Sequence, residues 1–119
     1  MGGYCSGIEI NFKINSSDKD KLFCLMKQFG SRSLKWNVLG FDDFQTLEEV
    51  LDFLKYSYKE ESNQILIHKH YGNKLGSDAH LWRFCSSGVE SGEFLMFGEH
   101  DRIIVCHLRI YNGIITHSK

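Results

Sequence analysis

Proline is absent from the chain, so no proline-rich linker or X-Pro turn divides it into separate units. Cysteine is sparse as well: the four residues Cys5, Cys24, Cys85 and Cys106 include no Cys-x-x-Cys pair. That pattern falls short of the dense disulfide framework of a small secreted domain. The four are therefore expected to be free thiols in a cytoplasmic protein, an expectation that the lack of an apolar leader shares. Long hydrophobic runs are missing too, since stretches such as Ile103-Ile104-Val105-Cys106 fall far short of the roughly 20 residues that cross a bilayer. Neither charge sign dominates: 14 Lys and Arg stand against 15 Asp and Glu, a formal net charge of −1. Without a basic surplus, general affinity for nucleic acid is not expected. Neither Gly-x-x-x-x-Gly-Lys-Ser/Thr nor Gly-x-Gly-x-x-Gly occurs, so no nucleotide cofactor is expected.

What the sequence does contain is apolar and aromatic: 42% hydrophobic residues, with nine Phe, five Tyr and two Trp in 119 residues. That is enough to bury one core, and residues 1–119 read as one domain. Residues 7–14 alternate, with Ile8, Ile10, Phe12 and Ile14 on one side and Glu9, Asn11 and Lys13 on the other, the period of a half-buried strand. Ser16 and Ser17 then offer a cap, Asp18 and Asp20 suit a helix N-terminus, and Leu22, Leu25, Met26 and Phe29 form a helical stripe before Gly30. Residues 34–39 read as a short strand around Trp36. Thr46 followed by Glu49 matches a capping box, and Leu47, Val50, Leu51, Leu54 and Tyr58 recur at helical spacing, predicting a second helix up to the polar cluster 59–63. Beyond it strands are expected at 64–70, 80–85, 93–97, 102–111 and 114–117, with a hairpin at 98–101 and a turn at Asn112-Gly113. The resulting fold class is α+β, with two helices on one face of a mainly antiparallel sheet in the order β-α-(β)-α-β-β-β-β-β. In the strand at 102–111, Ile104, Cys106, Leu108 and Ile110 form one face. Ile103, Val105, His107, Arg109 and Tyr111 form a mixed second face, open to solvent or to a partner.

Chemistry-bearing residues are dispersed. His68 and His70, two apart on a strand, would point to one side and could offer two imidazoles to a metal, with His80, His100 or His107 as third ligand. Their spacing matches no zinc signature, and a solvated strand face accounts for them. Cys106 and His107 are strand neighbours facing opposite sides, so they cannot form a thiol–imidazole pair. Lys35-Trp36 and Trp82-Arg83 place aromatics beside cations without making a basic stacking track. Met1-Gly2-Gly3-Tyr4-Cys5-Ser6 fits the acylation pattern Met-Gly-x-x-x-Ser/Thr, but no polybasic cluster follows to reinforce it. No catalytic constellation results, and a non-enzymatic protein is expected.

The remaining feature is lopsided charge. Residues 41–62 hold seven acids, Asp42, Asp43, Glu48, Glu49, Asp52, Glu60 and Glu61, against two lysines. If the second helix buries its Leu/Val stripe, Glu48, Glu49 and Asp52 point outward, and a local negative field of this kind speeds encounter with a basic partner. In size, cysteine use, lack of catalytic motifs and charge distribution the chain resembles the small cytoplasmic immunity proteins that bacteria keep against toxin nucleases. The likeness is one of type and no residue motif carries it. It implies an inhibitor that occludes a toxin domain with a basic surface, its contact set being Asp42, Asp43, Glu48, Glu49 and Asp52, with Tyr56 as an aromatic anchor. Two other classes fit the same sequence: a metal-dependent enzyme or metal-binding protein built on His68, His70 and His107, and a homodimeric structural module pairing through a sheet edge.

Overall fold

A computed structural model describes residues 7–32, 44–71, 77–98 and 103–119. The expected strand at 34–39, the N-terminal Met-Gly motif, Asp42, Asp43 and His100 lie outside the described residues. Among those described, seven strands form one antiparallel sheet and three α-helices accompany it. The strands are β1 (Gly7–Ile10), β2 (Phe12–Asn15), β3 (Tyr56–Glu61), β4 (Gln64–His70), β5 (Ser91–Phe97), β6 (Ile104–Tyr111) and β7 (Ile114–Ser118). The helices are α1 (Lys19–Arg32), α2 (Leu47–Phe53) and α3 (Ser77–Phe84). The sheet order is β3-β4-β2-β5-β6-β7, with β1 paired to β5.

The alternating segment at 7–14 is two strands because it changes partner at Asn11. β1 pairs with β5 from Gly7↔Phe97 to Ile10↔Phe94, whereas β2 pairs with β4 from Phe12↔Ile67 to Asn15↔Gln64 and meets β5 only at Lys13↔Ser91. Asn11 fastens the crossing: its N–H donates to the Glu93 carbonyl at 3.0 Å, and its Oδ1 accepts the Glu93 N–H at 2.7 Å. Gly92 makes the close approach possible, since with φ at +136° any Cβ there would collide with the Asn11 carbonyl and come 2.8 Å from Phe12 Cα.

Alternation decides what is inside. Ile8, Ile10, Phe12, Ile14, Ile65, Ile67, Phe94, Met96, Cys106, Leu108 and Ile110 turn inward and form one buried cluster with Leu22, Met26, Leu47, Val50, Leu51, Leu81 and Trp82 of the helices. Phe12 sits at its centre, edge-on to Trp82 with ring centroids 4.9 Å apart.

Two expected elements are corrected. The helix that starts at the Thr46 cap stops at Phe53 rather than running on to Tyr58: Leu54 is its C-cap, and Lys55 turns left-handed at φ +70°. Tyr56 then opens strand β3, whose two-residue turn to β4 has Ser62 and Asn63 at φ +45° and +67°, the type I′ geometry that a tight hairpin demands. Residues 80–85 are not a strand either. They belong to α3 and the turn after it, with Asp78, Leu81, Trp82 and Cys85 buried at helical spacing. The α+β class and the antiparallel sheet stand, with three α-helices among the described residues where two were expected.

Candidate functional site

The acidic band is the feature the sequence singles out, and the structure gives its members different roles. Thr46 Oγ1 accepts the Glu49 N–H at 3.2 Å. In return a Glu49 carboxylate oxygen accepts the N–H of Thr46 at 3.1 Å and of Gln45 at 2.6 Å. Glu49 is thus committed to capping α2, which Thr46-x-x-Glu49 already implied. Glu48 is ion-paired with Lys19 of α1, and Lys19 also lies 3.8 Å from Glu60. Burial pulls the Glu48 carboxyl upward, but hydrogen bonds from Lys19 and the backbone outweigh it and leave the group below the ordinary carboxylate range. Lys19 moves up correspondingly, chiefly through its hydrogen bond to Glu48. Asp52 is exposed. Tyr58 is raised first by burial and then by the charges of Asp52, Glu48 and Glu60. The edge is negative but partly neutralised.

Tyr56 does not belong to that edge. It is 1% exposed, so it cannot anchor a partner. Its hydroxyl donates to Asp78 Oδ2 at 2.5 Å and accepts from Trp82 Nε1 at 3.0 Å, while its ring meets His70 edge-on at 4.9 Å. Burying a carboxylate among apolar side chains is costly unless it is hydrogen-bonded, and this network ties β3 and β4 to α3. Sequence reasoning misses it because a strand expected to begin at residue 80 leaves Asp78 in a connection. The signal that could have found it is the fall of Asp78, Leu81, Trp82 and Cys85 at i, i+3, i+4 and i+7.

The strand residues that alternate with the core form the other face of the sheet. Val105, His107, Arg109 and Tyr111 run along β6, the mixed face expected from the sequence, with Ile114 of β7 opposite Tyr111. Val105 is 56% exposed, Tyr111 63% and Ile114 65%. Between them Glu93 is held at 2.8 Å from His107 Nε2 and 3.1 Å from Arg109 Nη2, and the His107 and His117 rings touch edge-on at 4.5 Å.

A hollow opens on this face where β1 and β4 part. Pairing between β2 and β4 ends at Phe12↔Ile67, and a register shift opposite Ser57 and Tyr58 inserts His68 as an extra residue in β4, a bulge that reverses the alternation beyond it. His68 is consequently exposed while His70 is 8% exposed and turned inward. The two histidines expected on one side of a strand differ in environment for this reason, and His107 lies on β6, separated from them by β1 and β5. Among the described residues no three His, Cys, Asp or Glu side chains gather as a metal-binding group. The hollow has a volume of about 520 Å³ and is lined by Glu9, Asn11, His68, Lys69, His70 and Glu93, among others.

The described cysteines are free: Cys24 is exposed, Cys85 and Cys106 buried. Burial drives the Cys85 thiol far upward. Burial also raises Cys106, partly offset by Arg83, whose guanidinium lies 3.5 Å from its sulfur. Neither has the character of an activated nucleophile. No helix among the described residues is long and apolar enough to cross a membrane. No protein family, curated protein or solved structure matches the chain.

Proposed function

We propose that the chain is a small non-enzymatic protein-binding module, an immunity-type inhibitor that neutralises a toxin domain by covering its working surface. The observation that carries this reading is the set of exposed apolar side chains on the open sheet face, Val105 and Tyr111 on β6 and Ile114 of β7 opposite Tyr111. Apolar and aromatic anchors next to a guanidinium, here Arg109, are the composition that concentrates binding energy at protein interfaces.

A basic active site as the target is the narrower form of the proposal. It rests on Glu48 and Glu60 sharing Lys19 and on exposed Asp52 of the same helix as Glu48, acids in excess of that lysine that can steer a cationic partner. Glu49 contributes through its cap, and Asp42 and Asp43 complete the expected set from outside the described residues. The test is co-expression in a bacterial host with the C-terminal domain of the protein encoded immediately upstream. Restored growth together with a stable complex supports inhibition. Continued killing with no complex would remove the inhibitor reading.

A further inference from the structure

Three independent features converge on the place where β1 leaves β4. The sheet is interrupted there twice, by the change of partner at Asn11 and by the extra residue His68, and strand irregularities of this kind are over-represented beside functional sites. The hollow so formed, about 520 Å³, falls in the range of small-molecule sites. Behind it His70 leans on Tyr56, which is hydrogen-bonded to the buried Asp78 and to Trp82, a polar network of the sort that makes one wall rigid.

The polar side chains around the hollow are segregated by strand. His68 and Lys69 of β4 form one side, and Glu9 of β1 with Glu93 of β5 the other. Glu93 is already engaged by His107 and Arg109. The side chains of Glu9 and Lys69, in contrast, make no ion pair or hydrogen bond among the described residues. Lys69 and Glu9 line one hollow from different strands without pairing with each other, an arrangement that suits a ligand carrying both charges itself. Ile8, Ile10 and Leu95 complete the lining and supply an apolar floor.

We propose that this hollow binds a small zwitterion of amino-acid or dipeptide size, its carboxylate on Lys69 and His68 and its ammonium on Glu9. Such binding requires no protein partner and is independent of the inhibitor reading. The test is titration of the isotopically labelled chain, followed by amide chemical shifts, with free amino acids and glycylglycine, and with acetate and methylammonium as single-charge controls. Saturable shifts at Glu9, Asn11, His68 and Lys69 with a dissociation constant of about 1 mM or tighter are expected for at least one zwitterion. The single-charge controls should bind at least about tenfold more weakly, the factor expected when one charge-assisted contact is lost. Glu9→Gln and Lys69→Met should each weaken binding by a similar factor while leaving the unfolding midpoint unchanged. Absence of saturation by every zwitterion at about 10 mM, a range in which a millimolar site would fill, would overturn the proposal. So would equal shifts from acetate, or undiminished binding in both variants.

Discussion

Tyr56 shows how much one side chain decides. On a helix, as its spacing suggests, it would be a surface aromatic. As the first residue of β3 it is buried, and its hydroxyl joins Asp78 to Trp82. Replacing Tyr56 by Phe keeps the ring and removes both hydrogen bonds, which is expected to cost about 1–3 kcal/mol, the usual penalty for depriving buried polar groups of a partner. Urea unfolding at neutral pH measures this, and an unchanged midpoint would contradict the assigned network. Glu93 makes a different prediction. Its carboxyl is held below the ordinary range, first by the hydrogen bond to His107 and then by Arg109. A value depressed on folding favours the charged native form, so its stabilisation is full above the ordinary Glu pKa of about 4.3 and fades as pH falls through the lower folded value. Glu93→Gln should therefore cost more stability at pH 6 than at pH 3. Because the group is about a third exposed, solvent screening keeps the difference small. A difference independent of pH would contradict the shift.

Among the elements, β1, α1, β4, β5, β6 and β7 could be read from the sequence because periodicity and turn chemistry agree there. Ile8, Ile10, Phe12 and Ile14 alternate, and Asn112-Gly113 closes the β6–β7 turn with φ of +52° and +76°, the left-handed pair that Asn and Gly favour. The failures occur where a short segment satisfies two periods. Val50, Leu54 and Tyr58 continue a helical stripe, but Tyr56 and Tyr58 also alternate, and the left-handed backbone at Lys55 settles the matter for a strand. In α3 the β-prone residues Trp82 and Phe84 obscure a helical spacing. The roles of Glu48 and Glu49 are not legible in the sequence, because a capping carboxylate and an ion-paired one look alike until their partners are placed. The α2 cap gives the test at this scale. Thr46→Ala removes the hydroxyl that accepts the Glu49 N–H and is expected to cost about 1 kcal/mol, measured as a lower denaturant midpoint with an unchanged slope. A loss below a few tenths of a kcal/mol would mean that the box contributes little.

In the molecule as a whole, the sheet divides the labour. Its inner face is filled by the core it shares with the three helices. The outer face carries exposed Val105 and Tyr111 of β6 and Ile114 of β7, and elsewhere the hollow between β1 and β4. The proposed partner surface is therefore the sheet, with the acidic helix edge in a secondary, steering role that salt would weaken. The most direct measurement compares two variants in the co-expression assay and in affinity for the same toxin domain: Tyr111→Lys with Ile114→Lys on the open face, and Asp52→Lys on α2. All three positions are exposed, so folding should be preserved, as thermal unfolding can verify. Contact through the open face predicts that the double sheet variant loses protection and at least about a hundredfold in affinity, the equivalent of about 2.7 kcal/mol, while Asp52→Lys changes affinity no more than a few-fold. The opposite pattern, with the sheet variant protecting normally and Asp52→Lys failing, would contradict it.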